Sequence, residues 1–152
     1  SMDGIDVPQW EKTFDVNLKG PFFLIQRSID LLAASKNASV INVSSINGKR
    51  PAPLQGVYSI TKAALISMTK GLAKELGPKN IRVNALLPGL TKTRFSSALM
   101  ENEDILNQVV KSIPLGRHAE PGEMSGAALY LASDAASYTT GTCLTCDGGV
   151  LA

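Results

Sequence analysis

Apolar residues recur along the chain with helical periods that alternate with short apolar runs. From Asp6 to Asn37 they fall at steps of three or four, which predicts one long amphipathic helix. Gly20 and Pro21 lie inside this helix, and Pro21 lacks a backbone donor, so we expect a bend there. The same period predicts a helix from Val57 to Leu76, which Gly77-Pro78 ends.

Three short apolar runs predict buried strands. They are Val40–Val43, Ile81–Leu87 and Thr142–Cys146. The stretch from Phe95 to Ser112 predicts an amphipathic, polar helical segment, and Gly122 to Ser133 predicts a further helix. Helices and strands alternate, which is typical of an α/β fold with a parallel sheet.

Composition and charge exclude several classes of protein. The chain has 152 residues, 44% of them hydrophobic and 18% charged, which suits one packed domain and excludes disorder. The net charge of +2 is spread without a basic block, so we expect no nucleic-acid partner. No apolar run approaches the roughly 20 residues that cross a bilayer. The first residues lack a secretory pattern. We therefore expect a soluble, cytoplasmic protein without a membrane partner.

Cysteine and histidine offer little metal or redox chemistry. Cys143 and Cys146 have C-x-x-C spacing but fall on a predicted strand, where residues three apart point to opposite faces. One histidine, His118, completes no zinc site, and its glycine- and proline-rich surroundings predict a loop. We expect no metal site.

Tyr58 and Lys62 form the first candidate for chemistry. Four residues apart at the start of a helix, they share one face. An ammonium within about 4–6 Å stabilises a phenolate and would lower the Tyr58 pKa by about one to three. Tyr58 could then exchange a proton with a substrate oxygen near neutral pH. Taken alone, such a pair is more often two solvated neighbours on a helix surface.

Ser45 and Asn17 extend this candidate site. Ser45 follows a buried strand, and sites in parallel α/β sheets form at the carboxyl ends of strands. Its hydroxyl could hold a substrate oxygen beside Tyr58, whereas a role in capping a turn fits Ser44 better. Asn17 precedes the Gly20-Pro21 interruption, where it could bind freed backbone groups or a water.

Taken together, these motifs resemble the short-chain dehydrogenase/reductase family over essentially all 152 residues. The matching segments are Trp10 with Val16-Asn17-Leu18-Lys19-Gly20, Ile41-Asn42-Val43-Ser44-Ser45, Tyr58-Ser59-Ile60-Thr61-Lys62-Ala63-Ala64, Ile81-Arg82-Val83-Asn84-Ala85, Pro88-Gly89 with Thr93, Leu131-Ala132-Ser133-Asp134, Thr140-Gly141 and Asp147-Gly148-Gly149. The resemblance implies a Rossmann-like three-layer sandwich with a parallel sheet, and an NAD(P)-dependent oxidoreductase that interconverts a carbonyl and a secondary or primary alcohol.

The resemblance also implies a role for each site residue. Tyr58 would be the acid or base, and Ser45 would bind the substrate oxygen. Lys62 would lower the Tyr58 pKa and bind the nicotinamide ribose, and Asn17 would hold a water in line with Lys62. Pro88, Gly89, Thr91 and Thr93 would lie along the nicotinamide, with the Thr91 backbone and the Thr93 hydroxyl near its carboxamide.

The glycine-rich turn that cradles the cofactor pyrophosphate in this family has no counterpart in the chain. We therefore interpret residues 1–152 as the C-terminal portion of one such domain, inactive on its own and weak in cofactor binding. The selector for NAD or NADP would lie in the other portion, so either cofactor fits. An alternative hypothesis is a non-catalytic fragment that serves only in folding or oligomerisation.

The resemblance also implies a substrate class and an oligomeric assembly. Phe95 to Ser112 occupies the family's variable lid, and Pro88 to Ser96 resembles carbonyl and retinol reductases and also 3-oxoacyl carrier-protein reductases. A small carbonyl or alcohol is the expected substrate. The two long helices imply a homodimer or homotetramer. The family's sheet places the strands at Val40, Ile81 and Thr142 side by side, and we expect the open edge of the first strand to be covered.

Overall fold

A computed structural model describes residues 2–152, apart from the side chains of residues 2, 98 and 99. The helices are α1 (Val7–Phe14), α2 (Gly20–Ala33), α3 (Gly56–Leu76), α4 (Ser97–Met100), α5 (Glu103–Lys111) and α6 (Ser125–Ala132). The strands are β1 (Ala38–Val43), β2 (Ile81–Pro88) and β3 (Cys143–Cys146). They form one parallel sheet in the order β1-β2-β3, which confirms the predicted sheet and strand order.

The first long helix is continuous but changes its hydrogen-bonding pattern in the middle. A π-helical turn, Asp15–Lys19, connects α1 to α2. The N–H of Gly20 bonds to the carbonyl of Asp15, five residues back, directly before Pro21, which has no N–H to donate. The predicted interruption is therefore present, but it lies on the N-terminal side of Gly20 and contains Asn17.

Helices cover both faces of the sheet. On one face, α2 and α3 pack on the side chains of Ala38, Ile81 and Val83, which are at most 3% exposed. Burying this apolar surface is the main stabilising term of the fold. The chain therefore has the three-layer arrangement that the sequence predicted. Within residues 2–152 no helix combines the length and the apolar character that crossing a membrane requires.

On the other face, a buried arginine attaches α6 to the sheet. Arg82 donates from Nη1 to the carbonyl of Leu131 over 2.8 Å, and from Nη2 to Asn37 Oδ1 and to the carbonyl of Ser133. Ser39 Oγ donates to the same Leu131 carbonyl. These bonds satisfy carbonyls at the C-terminal end of α6, where helical partners are lacking.

The predicted lid helix is divided into short segments. A 3-10 turn at Arg94–Ser96 leads into α4, and α5 begins anew at Glu103 because Asn102 caps it by accepting from the N–H of Ile105. Treating Phe95 to Ser112 as one helical stretch was therefore wrong. The next helix also begins later than predicted, because Pro121–Met124 is a 3-10 turn.

The outer edge of β1 has no neighbouring strand among residues 2–152. Its inner edge pairs with β2, and the N–H of Ser44 continues this pairing to the carbonyl of Leu86. The backbone N–H and carbonyl of Val43 therefore point away from β2, and Val43 is 55% exposed. The expectation that a second copy or further residues of the polypeptide cover this edge stays a prediction.

Asn84 should be a main polar support of the fold. It is fully buried, donates from Nδ2 to the carbonyl of Thr139, and accepts at Oδ1 from the N–H of Thr142. We expect Asn84→Ala to lower the free energy of unfolding by about 1–3 kcal/mol, because two buried backbone groups lose their partner. Urea denaturation would measure this. Asn107→Ala, on the exposed side of α5, should change it by less than about 0.5 kcal/mol; equal effects would contradict the assignment.

Candidate active site

Close packing fixes the loop that carries Ser45. The loop turns through a 3-10 segment, Ile46–Gly48, directly against α3. A Cβ at Gly48 would lie 2.8 Å from the carbonyl carbon of Lys62, so the approach requires glycine. Ser44 Oγ donates to the carbonyl of Lys62 over 2.8 Å. This packing places the carboxyl end of β1 beside the first turns of α3.

Ser45 caps the turn that follows it. Its hydroxyl oxygen accepts from the N–H of Asn47 over 3.1 Å, and the residue is 8% exposed. Assigning the capping role to Ser44 was therefore wrong, because Ser44 turns towards α3 instead. The Ser45 side chain is also near enough to the Tyr58 phenol to lower its pKa. The capping bond orients the hydroxyl that lies near the phenol.

Tyr58 and Lys62 lie one helical turn apart, as predicted, yet the ammonium does not bond to the phenol. Lys62 Nζ donates to the carbonyl of Val43 over 2.9 Å and lies 5.5 Å from the centroid of the Tyr58 ring. It thus binds one of the outward-facing carbonyls at the open edge of β1. Burial lowers the pKa of Lys62, because desolvation disfavours the ammonium.

Burial controls the titration of Tyr58. It raises the pKa of the phenol above its ordinary value of 10.0, and the nearby Ser45 hydroxyl lowers it by a smaller amount. The expectation that Lys62 would lower the Tyr58 pKa is not met in this structure, because the ammonium is directed to Val43 and the partly buried phenolate is poorly solvated. The neutral phenol is therefore the favoured form at neutral pH.

Asn17 is tied to the same helix through Thr61. Asn17 Nδ2 donates to Thr61 Oγ1 over 3.1 Å, and Thr61 Oγ1 donates to the carbonyl of Tyr58 over 2.7 Å. Thr61 is fully buried. In an α-helix the Asn17 carbonyl would accept from residue 21, which is Pro21 and has no N–H. The interruption thus frees this carbonyl from its α-helical donor, while Thr61 holds the side chain.

The segment after β2 forms the opposite wall of the site. A Cβ at Gly89 would lie 2.7 Å from the Cα of Asp147, so the chain passes tightly over the end of β3. Thr91 Oγ1 donates to the carbonyl of Gly89, and a single parallel bridge pairs Thr91 with Ala119. Thr93 caps the following turn, with its N–H bonded to Ser96 Oγ over 3.0 Å.

These elements enclose two neighbouring cavities. The strand-end cavity, about 630 Å³, has Ser45, Tyr58 and Lys62 on one side and Pro88, Gly89, Thr91 and Thr93 on the other. The helix cavity, about 700 Å³, lies between α1 and α3 and is lined by Val16, Asn17, Leu54, Tyr58, Lys62 and Phe95 among others. Tyr58 and Lys62 line both. The structure therefore brings all the predicted site residues together around this pair.

Two further residues of the site lacked an assigned role in the sequence. Phe95 places its ring 5.2 Å from that of Tyr58, centroid to centroid, although its side chain is 73% exposed. Thr61 links Asn17 to Tyr58. The sequence offered a signal for Thr61, because it lies between Tyr58 and Lys62 in the motif. It offered none for Phe95, because its contact with Tyr58 depends on how the segment after β2 folds back.

The two cysteines, Cys143 and Cys146, lie in surroundings that do not favour a reactive thiol. Cys143 packs against the core formed by Ile66, Ala85 and Leu87. Burial, and then the nearby Asp147 carboxylate, raise the pKa of Cys146, so its thiol is a poor nucleophile. Residues 2–152 contain no group of three potential metal ligands.

Comparisons with known proteins decide the family. A family model described as Enoyl-(Acyl carrier protein) reductase matches residues 2–151. Human dehydrogenase/reductase SDR family member 4 is 38% identical over 140 residues, covering 92% of this chain. The chain belongs to the short-chain dehydrogenase/reductase family.

Other relatives of this short-chain dehydrogenase/reductase support the assignment. The 3-oxoacyl-acyl-carrier-protein reductase FabG of Chlamydia trachomatis is 39% identical over 142 residues, which is 93% of this chain. The crystal structure of a gluconate 5-dehydrogenase from Burkholderia cenocepacia with NADP and tartrate superimposes with a TM-score of 0.95 at 30% identity, over 98% of this chain. The chain spans 50% of the human protein, 56% of FabG and 58% of the gluconate dehydrogenase.

The position of the Ser45 hydroxyl near Tyr58 predicts a titration shift. Because Ser45 stabilises the phenolate, Ser45→Ala should move the Tyr58 pKa further upward. Absorbance at 295 nm during a pH titration would follow the phenolate, with Tyr58→Phe identifying which step belongs to Tyr58 and circular dichroism confirming that the protein stays folded.

Ser137→Ala is the matched control, since Ser137 is exposed and far along the chain from the site. It should leave the Tyr58 midpoint unchanged. A downward shift in Ser45→Ala, or none, would refute the contact.

Proposed function

We propose that the protein is an NAD(P)-dependent oxidoreductase that interconverts a carbonyl and a secondary or primary alcohol. The observation that carries the proposal is the placement of Ser45, Tyr58 and Lys62 on one wall of the strand-end cavity, opposite Pro88 to Thr93. A hydroxyl, a phenol and an ammonium at the carboxyl ends of parallel strands suit proton exchange with an oxygen atom. Because the chain spans about half of its relatives, the activity of the whole protein is part of the proposal.

Tyr58 acts as the acid in carbonyl reduction and as the base in alcohol oxidation. Its raised pKa keeps the phenol neutral at pH 7, which is the form that donates a proton to a developing alkoxide. Ser45 donates its hydroxyl to the same substrate oxygen. The bond from Asn47 occupies a lone pair of the serine oxygen, so the serine proton can turn from the phenol to that oxygen when substrate binds.

Lys62 and Asn17 complete the proton path. An ammonium has three donors, and one of them binds the Val43 carbonyl, so two remain for ribose hydroxyls and a water. The Asn17 carbonyl, which Pro21 leaves without its α-helical donor, accepts from that water and keeps it in line with Lys62. Thr61 maintains this geometry by holding the Asn17 side chain.

The strand-end cavity fits a nicotinamide group. Lys62 offers unused donors, and Pro88, Gly89, Thr91 and Thr93 line the same cavity. NAD or NADP bound there supplies the hydride, while the protein supplies orientation and the proton. The Burkholderia relative with NADP supports this choice of cofactor class. The cytoplasmic location stays a prediction from the sequence.

Tyr58→Phe should abolish most of the activity. Removing the acid that donates the proton should lower the turnover number by at least about 10². Steady-state measurements of nicotinamide absorbance at 340 nm, with the full-length protein and a small ketone, would test this.

Tyr138→Phe is the control, because that side chain is fully exposed, and its turnover should stay within about threefold of the parent. If Tyr58→Phe also stays within threefold, Tyr58 has no acid–base role.

We also propose that the protein forms a homodimer or homotetramer through α1, α2 and α3. A groove of about 710 Å³ runs between the first long helix and α3, and its apolar lining includes Phe14, Leu18, Phe22, Ala64 and Met68. A symmetric partner would pair the same face with itself. Burying these side chains would remove apolar surface from water, which favours association.

A charge in this groove should disrupt the assembly. We expect Phe22→Asp to reduce the mass measured by light scattering to that of a lower oligomer, because an aspartate there would be buried without a partner. Ile105→Asp on α5, outside the groove, should keep the parental mass. A monomeric parent at high concentration would disprove the proposed interface.

A further inference from the structure

A strained leucine stands at the mouth of the helix cavity. Within residues 2–152, two residues other than glycine have positive φ: Asn80, at 57°, and Leu54, at 64°. Asparagine tolerates this left-handed conformation, whereas the Cβ and branched side chain of leucine make it unfavourable. Leu54 lies in the loop just before α3 and lines the helix cavity together with Tyr58.

Packing within the chain does not explain why a leucine occupies this position. Its side chain is 82% exposed, so it buries little surface against its own protein. Two other apolar side chains of the same cavity are exposed in the same way: Phe95 by 73% and Val16 by 66%. Strained backbone conformations cluster at active sites and ligand-binding positions. The strain at Leu54 therefore points to a binding role for its side chain.

Three polar side chains of the helix cavity already hold hydrogen bonds within the chain. Asn17 donates to Thr61, Gln55 Oε1 accepts from Asn47 Nδ2 over 2.6 Å, and the Thr13 hydroxyl donates to the carbonyl of Gln9. A substrate with many hydroxyl groups would have to compete for these partners. An apolar group would instead cover side chains that are now in contact with water, which is favourable.

We propose that Leu54 and Phe95 form an apolar clamp that binds a hydrocarbon chain attached to the reacting carbon of the substrate. The proposal rests on the oxidoreductase function given above. With the carbonyl oxygen at Tyr58 and Ser45, the hydrocarbon chain leaves the reacting carbon into the helix cavity, which Phe95 lines beside Tyr58. The substrate class is therefore a ketone or secondary alcohol with an extended apolar chain, rather than a polyhydroxy compound.

The test uses straight-chain 2-alkanones from butanone to decanone with the full-length protein and reduced cofactor. In the parent, each added methylene should raise kcat/KM about fourfold until the cavity is filled, as expected for burying one methylene. Leu54→Gly and Leu54→Asn both accept positive φ, so both should fold at least as well as the parent. Each should lower kcat/KM for 2-octanone about tenfold or more, and for butanone by less than about twofold.

Leu31→Asn is the matched control, since Leu31 is 78% exposed on α2 and does not line the helix cavity. It should keep the chain-length dependence. The proposal is overturned if kcat/KM in the parent is independent of chain length, if it is higher for gluconate-like substrates, or if Leu54→Asn retains the dependence.

Binding separates this proposal from the proposed function. Calorimetric titration of 2-octanone into Tyr58→Phe needs no turnover, and its Kd should rise about tenfold when Leu54→Asn is added. If Leu54→Asn weakens the binding of 2-octanone but the parent shows no turnover, the result supports the clamp and refutes the proposed oxidoreductase function. Turnover that depends on Tyr58, with equal Kd values in the two variants, refutes the clamp alone.

Discussion

The site depends on the close contact between α3 and the loop after β1. At Gly48 the loop backbone meets the helix backbone, and no side chain fits between them. This contact brings the carboxyl end of β1 to the amino end of α3, so Ser45 and Tyr58 line the same cavity. The Ser44 bond to the Lys62 carbonyl and the burial of Thr61 hold α3 in this position. A shift of α3 would separate every group of the proposed proton path.

The electrostatics of the site follow from burial more than from pairing of charges. Desolvation moves the Tyr58 pKa upward and the Lys62 pKa downward, so each group is pushed towards its neutral form. Lys62 offsets part of its desolvation by donating to Val43, a carbonyl at the open edge of β1. Lys62 and the sheet edge are thereby linked, because the acceptor that Lys62 uses is one that an adjoining strand could also contact.

The division into two cavities separates the proposed tasks. The strand-end cavity places the hydroxyl groups of Ser45, Tyr58, Thr91 and Thr93 among apolar side chains such as Leu90, Val109 and Met124, which suits the proposed nicotinamide ring. The helix cavity presents Leu54, Val16 and Phe95, whose apolar surfaces contact water. Tyr58 lies between the two, where a hydride donor on one side and a carbon chain on the other would meet.

Periodicity and motif order in the sequence sufficed for the parallel sheet, the two long helices, and the grouping of Asn17, Ser45, Tyr58 and Lys62. Those features depend on local spacing, on which face of a helix or strand a residue occupies, and on the shared direction of parallel strands. The tertiary structure alone decided that Lys62 turns to Val43, that Tyr58 is desolvated, that Ser45 rather than Ser44 caps its turn, and that Leu54 is held at positive φ. The directions of Lys62 and Ser44 and the burial of Tyr58 depend on how α3 packs against the end of β1, and such packing is not encoded in any local pattern.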